Sequence, residues 1–248
     1  MIQNGYTEKI LVKYSETDQN LAMKPYSLLN FLQDIASKNA NEWGFGYPFL
    51  HPKGYGWFLL KYRMEFEEYP FDVLEYTLKT EPRGYNKLFA FREFELRKED
   101  KLMARMYSQW CVVDMKNRSM IPVFDAVGEN PYMTIHEKRE DDLKFGKITP
   151  ITNPQIEKVF EVRYNDLDVN GHANNGNYIV WAFEPLSFEF KNTHTMKTVD
   201  MVFKKEARFG ETLISQIEFK DDSTTVHKLQ NKEGEDLFLL ECAWRKNN

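Results

Sequence analysis

The chain repeats itself, and the repeat sets how many folding units it holds. Displaced by 150 positions, VKYSETDQN (Val12 to Asn20) falls over VRYNDLDVN (Val162 to Asn170). Val, Tyr, Asp and Asn are identical there, and Lys13/Arg163, Ser15/Asn165 and Glu16/Asp166 are alike in chemistry. Both copies run on into an apolar segment of helical spacing, in which Phe31 falls over Trp181 and Asp34 over Glu184. The 248 residues therefore read as two units of one design, each within the usual size of a small domain.

The same order of elements is expected in each copy. In the first, Leu28, Leu32, Ile35, Ala36 and Trp43 recur every three or four residues, which puts them on one helical face, and Gly44 and Gly46 end the helix. From Trp57 to Glu67 the period becomes two: Phe58, Leu60, Tyr62, Met64 and Phe66 alternate against Lys61, Arg63, Glu65 and Glu67, as in a half-buried strand. Further strands are expected over 73–79, 88–98 and 103–113. The second copy predicts a strand over 156–164, a helix from Asn175, and strands over 198–206, 212–220, 225–230 and 237–244. Pro185 should kink or break that helix, since an interior proline costs about 3 kcal/mol. One helix per run of antiparallel strands implies an α+β fold in which a curved sheet wraps a central helix, given twice. The expected division is 1–125, a connector over 126–154 that is rich in Pro, Gly and charge, and 155–248.

Composition removes several function classes. With 33 Lys and Arg against 38 Asp and Glu, the formal charge is -5, which disfavours nucleic acid as the main partner. No apolar run approaches the roughly 20 residues of a membrane span. MIQNGYTEKILVKYSETDQ carries no export signature, so a cytoplasmic location is expected. Cys111 and Cys242 stand in apolar surroundings and read as buried small hydrophobes rather than as a disulfide.

The densest polar cluster is DLDVNGHANNGNY, Asp166 to Tyr178, at a strand–helix junction. Asp168, Asn170 and His172 stand at i, i+2 and i+4, a spacing that lets three polar side chains converge. A carboxylate can orient an imidazole, and an amide can hold a carbonyl oxygen or a water. A turn-and-cap reading uses the same letters: Asn170-Gly171 is a turn dipeptide, and Asn174, Asn175 and Asn177 are candidate helix caps. No metal site is expected, because no second His or Cys lies at ligand spacing. The repeat weighs between the readings. The first copy keeps Asp18 and Asn20 but has Ala22 in place of His172 and Lys24-Pro25 in place of Asn174-Asn175. What only one copy retains points to a task that only one copy performs.

RYNDLDVNGHANNGNYIVW closely resembles the signature of the acyl-acyl carrier protein thioesterases, which are built from two tandem hotdog domains. YSLLNFLQDIASKNANEWGFG resembles the family's first central helix, and WCVVDMKNRSMIPV its strand and the start of its connector. The resemblance implies an active-site set of Asp168, Asn170 and His172 in the form D-x-N-x-H, joined by a Glu on the next strand, here Glu206 in FKKEARFGE. Ala207 follows that Glu, so no cysteine nucleophile is offered at that place. Ala173 replaces the family's usual valine, and Pro185 arrives early.

The implied reaction is hydrolysis of the acyl–carrier thioester by water activated by Glu206 and His172, with direct attack by Glu206 as the alternative chemistry. Asn170 and N–H groups at the following helix start are candidates for the oxyanion site. The acyl chain is expected in the first domain, with Leu28, Leu32, Trp57, Leu59, Phe89 and Phe91 as candidate walls. No cofactor is implied. The implied partner is an acidic acyl carrier protein bearing a phosphopantetheine arm, met by a basic patch at Lys204, Lys205 and Arg208, and homodimerisation is left open. Rival expectations are an acyl-coenzyme A thioesterase, a non-catalytic acyl-binding protein and a hydratase of the same fold.

Overall fold

The computed structural model of the chain describes Ile2 and residues 5–247. These residues form two compact units that draw on alternating stretches of chain. The first takes the described residues of Met1–Val12 with Phe31–Met64 and Leu74–Phe145, and the second takes Lys13–Asn30, Glu65–Val73 and the described residues of Gly146–Asn248.

The elements of the first half are β1 (Tyr6–Leu11), α1 (Pro25–Glu42), α2 (Tyr47–Leu50), β2 (Tyr55–Phe66), β3 (Glu75–Tyr85), β4 (Ala90–Lys98), β5 (Lys101–Asp114), β6 (Ser119–Ile121) and α3 (Val123–Val127). The sheet order is β1-β3-β4-β5-β2, with β6 added to β5. Leu28, Leu32, Ile35 and Ala36 of α1 are buried, as the helical spacing requires. Strand β4 shows how a strand divides its residues. Its even positions Ala90, Arg92, Phe94 and Leu96 are buried on the helix side, where Arg92 Nη1 reaches Asn39 of α1 at 2.7 Å. Phe91, Glu93 and Glu95 occupy the other face. In β2 the expected alternation holds only at Tyr62, Met64 and Phe66; Leu59 is buried, while Phe58 and Leu60 are half-buried. The step of three from Leu59 to Tyr62 reverses the phase of a two-residue period.

The second half continues with β7 (Ile156–Glu161), α4 (Asn175–Phe183), α5 (Phe188–Thr193), β8 (His194–Phe203), β9 (Thr212–Asp221), β10 (Thr224–Asn231) and β11 (Asp236–Lys246), in the antiparallel order β8-β11-β10-β9-β7. Helix α4 stops at Phe183, two residues before Pro185, and Ser187 caps the next helix by accepting the Phe190 N–H at 3.1 Å. Gly176 allows α4 to lie against the first two turns of α1: a Cβ there would stand 2.9 Å from the Tyr26 ring and 3.0 Å from Asn30 Oδ1.

The Pro- and Gly-rich segment after α3 is pinned along its length. Tyr85 N donates to Thr134 O at 2.9 Å, and His136 N donates to Tyr85 O at 2.8 Å. Arg83 bridges Glu93 (2.9 Å) and Asp142 (2.7 Å) under cover of this segment, and Arg105 meets Glu93 at 2.6 Å. Further on, Gly146 N donates to Asp200 Oδ1 at 2.7 Å, and Thr152 and Asn153 donate to Glu218 Oε2 at 2.6 and 2.8 Å. Composition alone suggested a linker; the buried carboxylates that hold this stretch lie in distant strands, so no local pattern marks them. Among the described residues no helix is long and apolar enough to cross a membrane. Cys111 and Cys242 are buried free thiols, and burial pushes Cys111 up to about 11 and Cys242 well above its ordinary value.

A buried chain of hydrogen bonds locks α4 onto its sheet. Trp244 Nε1 donates to Thr225 Oγ1, Thr225 Oγ1 lies 2.7 Å from His227 Nε2, and His227 Nδ1 lies 2.7 Å from the Ala182 carbonyl. Burial drives the His227 imidazole down to about 3, so it stays neutral in the fold. Its unfolded counterpart titrates near 6.5. The stability it supports is therefore complete above that pH and declines as pH falls toward 3, reaching a loss of about 2 kcal/mol at pH 5. Denaturant unfolding at pH 7 and pH 5 measures this, and His227→Gln, whatever its own cost, should lack that share of the slope.

Candidate active site

Two loops of the second unit build the site: the turn between β7 and α4, and the loop that follows β8. In the first, Asp168 Oδ1 accepts the backbone N–H groups of Asn170 (2.8 Å) and His172 (3.2 Å). Asp168 N donates to His172 O at 2.7 Å and Gly171 N to Asp168 O at 3.1 Å, which closes the turn. Gly171 sits at φ +75°, the left-handed region that glycine enters without strain. The first copy builds the same turn. Asp18 Oδ1 accepts from Asn20 N (2.8 Å) and Ala22 N (2.9 Å), with Leu21 at φ +60° where the second copy has glycine. Asp168 is thus a loop organiser, a task it shares with Asp18.

His172 departs from that shared plan. Its Nε2 lies 3.2 Å from Glu206 Oε2, with the imidazole 16% and the carboxylate 41% exposed. Glu206 was expected on a strand but lies in the loop three residues beyond the end of β8. The loop turns away because the Lys204 and Lys205 N–H groups both donate to Leu237 O, at 2.8 and 3.2 Å. It is anchored by Tyr178 of α4, whose hydroxyl accepts the Ala207 N–H at 2.7 Å and lies 3.4 Å from Lys205 O, on either side of Glu206. Burial raises the Tyr178 phenol far above its ordinary range, which keeps it a neutral donor and acceptor. The polar motif does not single out Tyr178. Its signal was present, since Leu28 holds the matching place in the first copy.

Backbone pairing gives the first-copy counterpart of Glu206. Ala173 N donates to Ala207 O and His172 bridges Arg208; correspondingly Met23 N donates to Pro70 O and Ala22 bridges Phe71. Glu206 therefore matches Tyr69, which is buried with its hydroxyl donating to Met23 O at 2.7 Å. Both members of the His–Glu pair are absent from the first copy and replaced by Ala22 and a buried phenol.

The other expected groups fall as follows. Asn170 is exposed, its Nδ2 3.4 Å from Asp168 Oδ2. The start of α4 is largely satisfied: Asn174 Oδ1 accepts from Gly176 N at 2.8 Å, and Asn177 N donates to Asn174 O at 2.9 Å. Asn177 Nδ2 donates to Asp166 O, and Asp166 is held by Arg163. Lys204 and Lys205 are engaged with Asp236 and Glu235, so their charges are compensated across the β10–β11 turn, and of the expected basic patch Arg208 has its side chain outside any such pairing among the described residues. Of the expected chain walls, Leu28, Leu32 and Leu59 are buried and Trp57 is half-buried, with Nε1 donating to Phe45 O at 2.8 Å. Phe89 is half-buried in the turn before β4. Phe91 lies on the face of β4 opposite α1, stacked on Tyr107 and packed against His136 with ring centroids 4.6 Å apart, because the two-residue period gives the helix side to Ala90 and Arg92.

Residues 3–130 match the family model of the acyl-ACP thioesterase N-terminal domain, and residues 150–246 match that of the C-terminal domain. A chloroplastic acyl-acyl-carrier-protein hydrolase of Cuphea viscosissima is 26% identical over 238 residues, covering 90% of this chain; this chain spans 58% of that relative's length. An acyl-ACP thioesterase from Bacteroides thetaiotaomicron has a similar structure at 20% identity and TM-score 0.85, covering 97% of this chain and 98% of its own. A 12:0-ACP thioesterase from Umbellularia californica does so at 17% identity and TM-score 0.86, covering all of both chains. At such identities the likeness establishes the α+β hotdog fold. With family models matched in succession over both halves of the sequence, the protein belongs to the acyl-ACP thioesterase family.

Proposed function

We propose that this protein hydrolyses the thioester of fatty acyl-acyl carrier protein, releasing a free fatty acid and so ending chain synthesis. The observation that carries the reading is the His172–Glu206 pair at 3.2 Å, present in one copy of a repeated design and replaced by Ala22 and Tyr69 in the other. A merely structural pair would serve both copies.

In this reading residues 155–248 carry the chemistry, 1–125 house the acyl chain, and 126–154 join them. Glu206 takes a proton from water as the water oxygen bonds to the thioester carbon. The carbonyl oxygen becomes an oxyanion, for which the Asn170 amide is the side-chain donor at hand, since the N–H groups at the start of α4 are mostly engaged. Collapse of the tetrahedral intermediate breaks the carbon–sulfur bond. The proton held by Glu206 reaches the departing sulfur by way of His172, giving one acid and one thiol for each water consumed. Asp168 holds the turn that presents His172 and Asn170. Leu32, Trp57 and Leu59 remain fitting walls for the chain, with Leu28 at the start of α1, whereas Phe91 points to the opposite face of its sheet. The buried, strongly protonated thiols of Cys111 and Cys242 make poor nucleophiles.

Coenzyme A is the rival carrier, and the compensated charges of Lys204 and Lys205 favour giving it a hearing. Turnover of one acyl group on the two carriers decides: the proposal requires the higher kcat/KM on acyl carrier protein. For the chemistry, Glu206→Gln and His172→Ala should each lower kcat by about 10²- to 10⁴-fold while remaining folded; rates within twofold of the parent would remove both from the mechanism. Tyr178→Phe tests positioning. It leaves the Ala207 N–H without its acceptor and should cost about 1–3 kcal/mol in denaturant unfolding. Measured far below its unfolding midpoint, where essentially every molecule is folded, its kcat should still fall with little change in KM, which separates positioning from loss of folded enzyme.

A further inference from the structure

Between α1 and the sheet of the first unit lies a buried cation that meets only neutral oxygens, beside two donors with no partner. Arg92 is buried on the helix side of β4, and its hydrogen bonds go to two neutral oxygens through Nη1: Asn39 Oδ1 at 2.7 Å and Thr80 Oγ1 at 3.0 Å. Among the described residues no carboxylate pairs with it. The acids of the same strand, Glu93 and Glu95, face the other way and are taken by Arg83, Arg105 and Arg97. Burial without a counter-charge lowers Arg92 to about 10. Beside it, Asn39 Nδ2 and the Tyr62 hydroxyl are buried with no hydrogen-bond partner. Tyr62 is near enough that the guanidinium's charge offsets part of the effect of burial on its phenol, and its ring packs 6.1 Å from that of Phe94.

The surroundings are otherwise apolar. The Phe45 ring lies 6.0 Å from the guanidinium, and Phe45 heads a cluster with Ala40, Leu50, Tyr85 and Ala90 against which Trp57 packs. A cation without a counter-charge and two orphaned donors are costly in such a core, because each gave up water on folding. All three offer hydrogens, so their complement is an acceptor oxygen, best one that carries negative charge or a strong dipole.

We infer that Arg92, Asn39 and Tyr62 form a polar binding site in the first unit for an acceptor oxygen on the acyl chain, so that the protein favours chains bearing a keto or terminal carboxylate group over plain hydrocarbon chains of equal length. That the ligand is an acyl chain rests on the proposed function; the donor cluster itself does not. A carboxylate would meet the charge of Arg92, and a ketone would satisfy the same N–H and O–H groups without charge.

Three acyl-carrier substrates of one chain length test this: unsubstituted, mid-chain keto and ω-carboxyl. At least one oxygenated chain should exceed the plain chain in kcat/KM by about tenfold. That ratio should fall toward one in Arg92→Met and in Tyr62→Phe, the latter an isosteric change that removes only the unpaired hydroxyl. A parent ratio near one, or a ratio that neither variant moves, overturns the inference and leaves the hydrolase reading intact. Should no thioester be turned over, the function fails instead. Calorimetric titration with the three free acids then still decides the donor site, since equal affinity for all three would overturn it.

Discussion

One carboxylate in each copy, accepting two backbone N–H groups across a tight turn, is the interaction on which the presentation of the site depends. Asp168 holds the N–H groups of Asn170 and His172, and Asp18 those of Asn20 and Ala22. An ionised oxygen is the strongest acceptor a side chain can offer to such donors. It sets the direction of the residue at the end of the turn with no help from that residue's side chain. The position after the left-handed residue can then hold histidine or alanine while the backbone stays the same.

That freedom explains how two copies of one plan came to differ where they do. In the second, the turn ends on an imidazole facing a carboxylate; in the first, it ends on a methyl group beside a buried tyrosine. The change is paired, since either half alone would leave a histidine or a glutamate without its complement. The first copy keeps Leu21 at φ +60°, where the second has a glycine, so the turn is held there against the steric preference of its own residue.

Much of this was legible in the residues. The repeat predicted two runs of the same elements, the three- and four-residue spacing from Leu28 to Ala36 located α1, and Pro185 marked the end of α4. Legibility failed where a residue's role depends on a distant partner. The reversal of phase between Leu59 and Tyr62 and the outward turn of Phe91 follow from how neighbouring strands sit, which no local alternation records. The stretch after α3 looked like a tether because the carboxylates that bind it, Glu93, Asp200 and Glu218, belong to strands far away in sequence. At the site, the motif named Asp168, Asn170 and His172 and the family pattern named Glu206. An orienting role for Asp168 toward Asn170 or the loop was legible, but not which backbone N–H groups it holds, nor that Tyr178 fixes the second loop. Both facts reside in hydrogen bonds to main-chain atoms, of which the letters carry one trace, the contrast of Tyr178 with Leu28 in the first copy.

The grip of Tyr178 on the Glu206 loop has a mechanical consequence. The phenol holds the peptide groups on either side of Glu206, at Lys205 O and Ala207 N. Both bonds run to main-chain atoms, so they do not depend on which side chain stands at position 206. The loop is thus fastened to main-chain atoms by a neutral phenol, so its frame is set independently of the side chain that it presents.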